Sequence, residues 1–295
     1  MNARDRGFLL LTSHLGDPQR KVLTVAQFRQ LAQRVSLMAK PKENRQLTVQ
    51  DMILLGYSED MALRILSLLS DEEQLSWYVQ KGAKMDCQPI TRVSEGYPIS
   101  LRQRLGTDCP GCLWTKGDQS LLKKQAVALV GSRDLLPSNY AFAEEVGRQA
   151  AKQGFVLVSG NARGADRVAQ EACLDAGGQV ISVVADSLQK CPLSCNVLYL
   201  SEDSFDSDFS AQRALSRNRV IHCLADRVFV AQCSLGKGGT WSGVTQNLRH
   251  NWSNVFCFAD ESHAMQELIQ RGAEPIKTED LQNLPGLTPQ ETKLF

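Results

Sequence analysis

From Ala126 onward the chain alternates short continuous apolar runs with longer helical stretches, and this alternation limits its fold more than any other feature. The runs fall at 126–130, 155–158, 180–184, 197–200, 228–231 and 255–258. Between them, stretches such as 140–153 place Phe142, Val146 and Ala150 on one helical face. Strands that are apolar on both sides must be covered on both faces, and single helices between them give right-handed parallel crossovers. The expected fold class is α/β, a Rossmann-like, doubly wound and mostly parallel sheet.

Upstream, to about Gln88, the apolar residues recur at helical spacing, as in Val22, Val25, Phe28 and Leu31 and again in Met61, Ile65 and Leu69. Within Leu47–Ser58, Gly56 stands just past one helix and Ser58 at the cap of the next. That is a small helix-turn-helix unit. Its tight joint either presents backbone amides to a phosphate or simply packs. The expected organisation is therefore a helical domain over 1–88, the Rossmann-like domain over 89–276 and a short tail over 277–295.

In 295 residues, Lys plus Arg is 33 against 32 for Asp plus Glu, so no chain-wide field draws a polyanion, and nucleic-acid binding would need a local cluster. Nine cysteines at irregular spacing read as free thiols of a cytoplasmic protein rather than a disulfide scaffold. The longest early apolar stretch, Phe8–Leu11, is too short for a signal-peptide core, and no membrane span is expected.

In a doubly wound sheet, ligands sit at the carboxyl ends of the strands. The first strand there leads into Gly131-Ser132-Arg133, and the second into Ser159-Gly160-Asn161-Ala162-Arg163-Gly164-Ala165-Asp166. Each loop pairs a glycine turn with an arginine and opens a helix whose first amides are unpaired, a combination suited to phosphate. Asp166 either complements its helix dipole or orients a ligand. The fifth strand ends in Gly236-Lys237-Gly238-Gly239-Thr240-Trp241, a further phosphate cradle without P-loop spacing. Arg213, Arg217 and Arg219, with Asn218 among them, add local positive charge just before that strand, as a second face of the cleft or as a solvated surface. A Gly-x-Gly-x-x-Gly after the first strand is absent, which disfavours a dinucleotide dehydrogenase.

In this order, Gly131-Ser132-Arg133, Ser159-Gly160-x-Ala162-Arg163-Gly164-x-Asp166 and Arg217-Asn218-Arg219-Val220-Ile221 resemble the signature of the DprA/Smf DNA-processing family. The resemblance extends upstream through Tyr97–Leu101 and Leu113–Gly117, takes in the helical region around Gly56, which resembles the family's small helix-hairpin-helix or SAM-like domain, and covers most of the chain from about Leu47 to Phe258. It implies a single-stranded DNA-binding protein of natural transformation and recombination that protects the incoming strand, loads the RecA recombinase and carries out no covalent chemistry. It leaves a homodimer open and calls for no cofactor or metal. By motif, Gly131, Ser132, Arg133, Ser159, Gly160, Arg163 and Gly164 would line the phosphate pocket, with Arg217, Asn218 and Arg219 beside it. The chain departs from the family pattern at Asn161, Ala165 and the 236–241 turn, and its 288–295 segment is too short for the winged-helix tail of many members.

Two other readings share the fold. The Gly-Gly-Thr turn also resembles the loop of LOG phosphoribohydrolases, but 241–249 lacks the carboxylate such hydrolysis needs, leaving Asp166, Asp186 or Glu202 as substitutes. A sensor of mononucleotide signals would use the same cleft. Zinc at Cys109, Cys112, Cys191 and Cys195 would require two distant segments to meet. For base stacking the sequence offers Trp241, which is equally suited to the core.

Overall fold

The computed structural model describes residues 1–38 and 46–288, so the last seven residues of the expected tail lie outside the described part. The helical region comprises α1 (Ala3–Thr12), α2 (Val25–Ser36), α3 (Val49–Leu54), α4 (Glu59–Ser70) and α5 (Glu72–Ala83). Its helix starts are written locally. Thr24 and Gln27 form a reciprocal capping box, Thr48 and Asp51 another, and Ser58 caps α4. Leu23, Leu31, Met52 and Ile65 close a small core of their own.

The chain then enters β1 (Cys87–Thr91), α6 (Ile99–Leu105), β2 (Cys112–Lys116), β3 (Ala126–Val130), α7 (Pro137–Lys152), β4 (Val156–Gly160), α8 (Ala165–Asp175), β5 (Gln179–Val183) and β6 (Val197–Glu202). It continues through α9 (Ala211–Leu224), β7 (Arg227–Val230), α10 (Gly238–His250), β8 (Asn254–Phe258), α11 (His263–Gln270) and β9 (Glu274–Ile276). All nine strands form one sheet in the order β1-β2-β6-β5-β4-β3-β7-β8-β9. Pairing is parallel from β6 to β9, and β1 and β2 extend the β6 edge antiparallel. This is the expected doubly wound arrangement. β1, β2 and β9 lie outside the six runs read from the sequence, because polar or proline residues interrupt their apolar pattern.

Alternation along β3 shows how both faces are filled. Val127 and Leu129 enter a core with Phe142 and Val146 of α7 and Ala169 of α8, whereas Ala128 and Val130 enter another with Val220 of α9 and Val244 of α10. Leu9 and Leu10 of α1 and Leu75 and Tyr78 of α5 share the first of these cores, so the helical region is anchored in the sheet domain. Leu281 and Leu284 are also fully buried there, so the first part of the 277–295 segment is packed rather than trailing.

The strand order reverses at β3. The chain leaves β3 through α7 toward β4, and α9 later carries it from β6 back across the sheet to β7 on the other flank of β3. The crevice at the carboxyl ends of β3 and β7 is thus the topological switch point. Helices α7 and α8 cover their face with very little clearance, since a Cβ at Gly147 would stand 2.1 Å from the Ala169 carbonyl oxygen. Gly147→Ala is expected to cost roughly 1–3 kcal/mol by forcing these helices apart. Urea unfolding checks this, and an unchanged midpoint would contradict it.

Candidate functional site

At the switch point three strand-end loops are bonded into one structure. The Ser132 N–H donates to the Gln232 carbonyl oxygen at 2.9 Å, and the Gln232 side chain accepts from Leu136 N–H at 2.9 Å while donating to the Asp134 carbonyl at 3.2 Å. Thr240 Oγ1 donates to the Gly131 carbonyl at 2.9 Å, and Ala165 N–H to the Ser132 carbonyl at 3.1 Å. Glycine is required where these loops touch. Gly164 has φ +86°, and a Cβ there would lie 2.3 Å from the Arg133 carbonyl oxygen.

Over these loops opens a cleft of about 810 Å³. Its walls carry Arg133 from the end of β3, Lys237 at the start of α10, Arg217 and Asn218 from α9, and the carboxylates Asp134 and Asp166. Arg133 and Lys237 are exposed, and neither forms an ion pair among the described residues. No side chain caps α10, and its first residues, Gly238, Gly239 and Thr240, line the cleft. The positive end of a 13-residue helix therefore adds to the two free cations.

The other site residues read from the sequence are distributed by helix and strand geometry. Arg217 lines the floor, nearly buried. A Cβ on Gly160 would fall within 1.6 Å of its guanidinium, so Gly160 lies beneath Arg217 instead of facing the opening, and Ser159 is fully buried and does not line the cleft. Asp166 sits 3.7 Å from Arg217 and accepts from the Ala162 N–H at 3.4 Å. Burial raises the Asp166 carboxyl above the ordinary range against the pull of Arg217, and burial likewise lowers the Arg217 guanidinium. Arg163 stands exposed on the rim, paired with Asp134 at 2.9 Å. Arg219 corrects the expectation that Arg217, Asn218 and Arg219 act side by side. Two residues along a helix turn a side chain about 200°, so Arg219 leaves the cleft and pairs with Glu202 at 2.9 Å. Thr240 also differs in role, since its hydroxyl proton is committed to Gly131.

Sequence reasoning passed over Phe209 and Leu215, which line the same cleft and remain 55% and 54% exposed. The spacing of Ala211, Ala214, Leu215 and Asn218, one stripe of α9, was the available signal. Trp241 lines the cleft as well, but it is half-buried against the core with Arg271 over its ring at 5.4 Å. Among the described residues no group of three or more His, Cys, Asp or Glu side chains could hold a metal ion. Cys109 and Cys112 pack into opposite faces of the sheet. No described helix is long and apolar enough to cross a membrane. At the helical hairpin, Ser58 caps α4, Glu59 and Asp60 occupy its first turn, and Arg34 takes the Gly56 carbonyl at 2.9 Å. Two carboxylates at that helix start oppose a phosphate, which favours the packing role.

Fold and site together define a Rossmann-type protein with a cleft at its switch point that is lined by exposed cations and an uncapped helix start. Residues 88–284 match the family of DNA recombination-mediator protein A, and the chain belongs to that family, the one its ordered motifs resemble. It is 26% identical over 299 residues to the DNA processing protein DprA of Bacillus subtilis, covering 92% of this chain and 98% of that one. It is 33% identical over 196 residues to the Streptococcus pneumoniae DprA, covering 61% and 67%. The crystal structure of the pneumococcal protein superposes with a TM-score of 0.73 at 23% identity, over 98% of this chain and 99% of that one. The Helicobacter pylori DNA processing protein A, solved for its single-stranded DNA binding mode, matches 67% of this chain and 94% of that one, with TM-score 0.54 and 24% identity. The two structural likenesses show the shared fold.

On the α9 wall, His222 is fully enclosed, and its Nδ1 accepts from Asn247 Nδ2 at 2.9 Å. Burial pushes its pKa down to about 3. Because the folded value lies below the unfolded one of about 6.5, this stability is complete above pH 6.5 and is lost as the pH falls toward 3. At pH 5 the loss amounts to about 2 kcal/mol. His222→Gln is therefore expected to lose about 2 kcal/mol less than the parent between pH 7 and pH 5. Equal losses in urea unfolding would contradict it.

Proposed function

We propose that the cleft binds single-stranded DNA, with phosphates on its cationic floor and bases toward its apolar mouth, and that the protein acts on DNA strands in transformation and recombination. The observation that carries this reading is the convergence of Arg133 and Lys237, from the ends of two different strands, with the uncapped start of α10 in a single cleft. An exposed Phe209 and Leu215 beside unpaired cations suit a strand whose bases are free to stack, whereas a duplex keeps its bases inside. The Helicobacter pylori protein, solved for its single-stranded DNA binding mode, and the Bacillus subtilis DNA processing protein support a DNA ligand. Protection of the strand, hand-over to the RecA recombinase and a cytoplasmic setting are what the family resemblance implies, and it leaves a homodimer open.

Binding without covalent chemistry fits the carboxylates best. Asp134 and Asp166, the two that line the cleft, are each engaged by an arginine, while Asp186 pairs with Lys190 and Glu202 with Arg219. A phosphoribohydrolase needs a carboxylate free to face the sugar. Release of free base from nucleoside monophosphates would overturn this assignment, and saturable binding of a mononucleotide without preference for polymer would point to a sensor.

Titration with an oligothymidine at several salt concentrations tests the ligand and the site together. Arg133→Ala and Lys237→Ala are each expected to weaken binding roughly tenfold or more. Each should lower the salt slope of log affinity by about 0.7 per lost phosphate contact. Arg249→Ala, at the far end of α10, should leave both unchanged. Unaltered affinity and slope in both cleft variants would sink the reading.

A further inference from the structure

The connection from β6 to α9, residues 203–210, is held by the helical region. Tyr78 of α5 donates its hydroxyl to Asp206 Oδ1 at 2.7 Å, and Lys81 Nζ donates to Asp206 Oδ2 at 2.6 Å. Ser204 Oγ donates to the same carboxylate at 2.9 Å and accepts from the Asp206 and Ser207 N–H groups at 3.1 Å. Burial opposes the charge on Asp206, but Lys81, Tyr78 and Ser204 outweigh it and hold the carboxyl below its ordinary range. The neighbouring Phe205 is fully buried against Tyr78 and Trp114, with ring centroids 4.9 and 4.6 Å away. Its carbonyl also accepts from Leu188 N–H at 2.8 Å and from Ser187 Oγ at 3.1 Å.

Three residues beyond Asp206 stands Phe209, exposed at the mouth of the cleft. A side chain so exposed has little packing of its own to fix it, so its place is set by the backbone that carries it. Downstream, Arg213 ties α9 to the sheet through the Ala185 carbonyl at 3.2 Å and Ser201 Oγ at 2.8 Å. The segment bearing Phe209 is therefore clamped on both sides: Lys190 pairs with Asp208 at 3.1 Å, the Phe209 N–H bonds the Asp186 carboxylate, and the anchor on Asp206 is supplied by α5.

We propose that Tyr78 and Lys81 of the helical region act as positioning residues for DNA binding, holding Asp206 so that Phe209 stands where it stacks on an unpaired base. This rests on the single-stranded DNA reading of the cleft. It gives the helical region a part in base contact without touching the ligand, and separates two kinds of residue. The cations set affinity for the sugar-phosphate chain, while the α5 clamp sets the additional affinity that bases bring.

An abasic sugar-phosphate oligomer and an oligothymidine of equal length distinguish the two. The unaltered protein should bind the base-bearing strand at least about fivefold more tightly, the lower end of what one base stack contributes. Phe209→Ala should bring this ratio close to one. Tyr78→Phe, which keeps the ring packing, and Asp206→Asn should each reduce it while abasic affinity and salt slope stay as they were. Adding Tyr78→Phe to Phe209→Ala should cause no further fall. If the ratio falls in Phe209→Ala but not in either clamp variant, the clamp is overturned and the cleft stands. Clamp variants that lose affinity for both oligomers alike would show a structural role only and overturn it too. If the unaltered protein binds neither oligomer, the cleft reading itself fails.

Discussion

The bonds that join the loop after β3 to the loop after β7 are what the rest of the site depends on. Gln232 receives the Ser132 and Leu136 amides and returns a bond to the Asp134 carbonyl, while Thr240 reaches across to Gly131. Two strand ends that diverge at a switch point would otherwise leave their polar backbone open to water and their side chains unrelated. Held together, they aim Arg133 and Lys237 into a common space without any charged partner to neutralise them. The net charge of the whole chain, +1, conceals this local excess.

Cationic side chains in the cleft divide according to how much freedom they keep. Arg217 is nearly buried over Gly160 beside Asp166, and it gives the floor a fixed shape. Burying an ion pair costs solvation that a 3.7 Å contact returns only in part, consistent with the opposite shifts of the two groups. Arg133 and Lys237 remain in water and can follow a flexible phosphate chain. The Arg163–Asp134 pair on the rim is too exposed to hold the loops together by itself.

Much of this was legible in the sequence. Six apolar runs gave six of the seven parallel strands, all but the short edge strand β9, because strands buried on both faces leave an unbroken hydrophobic trace. The loops at 131–133 and 236–240 could be assigned to one crevice from strand-end position alone. Direction around a helix was harder to read. Arg217, Asn218 and Arg219 are consecutive, yet α9 sends the first two toward the cleft and the third toward Glu202. Gly160 belongs to the motif but is covered by a side chain 57 positions later, a contact no local pattern reveals. Phe209 was missed because its connection has no periodicity and is held by contacts distant in sequence. β1 and β2 were missed because their Pro89, Thr91 and Thr115 broke the apolar trace.

The central claim is that groups separated by a hundred residues in sequence grip one strand together. Amide hydrogen exchange with and without a bound oligothymidine tests it most directly. The account predicts that binding slows exchange in 131–134 and 236–240 concurrently, at the same oligonucleotide concentration. Protection confined to the helical hairpin at 47–64, with both strand-end loops exchanging as before, would contradict it.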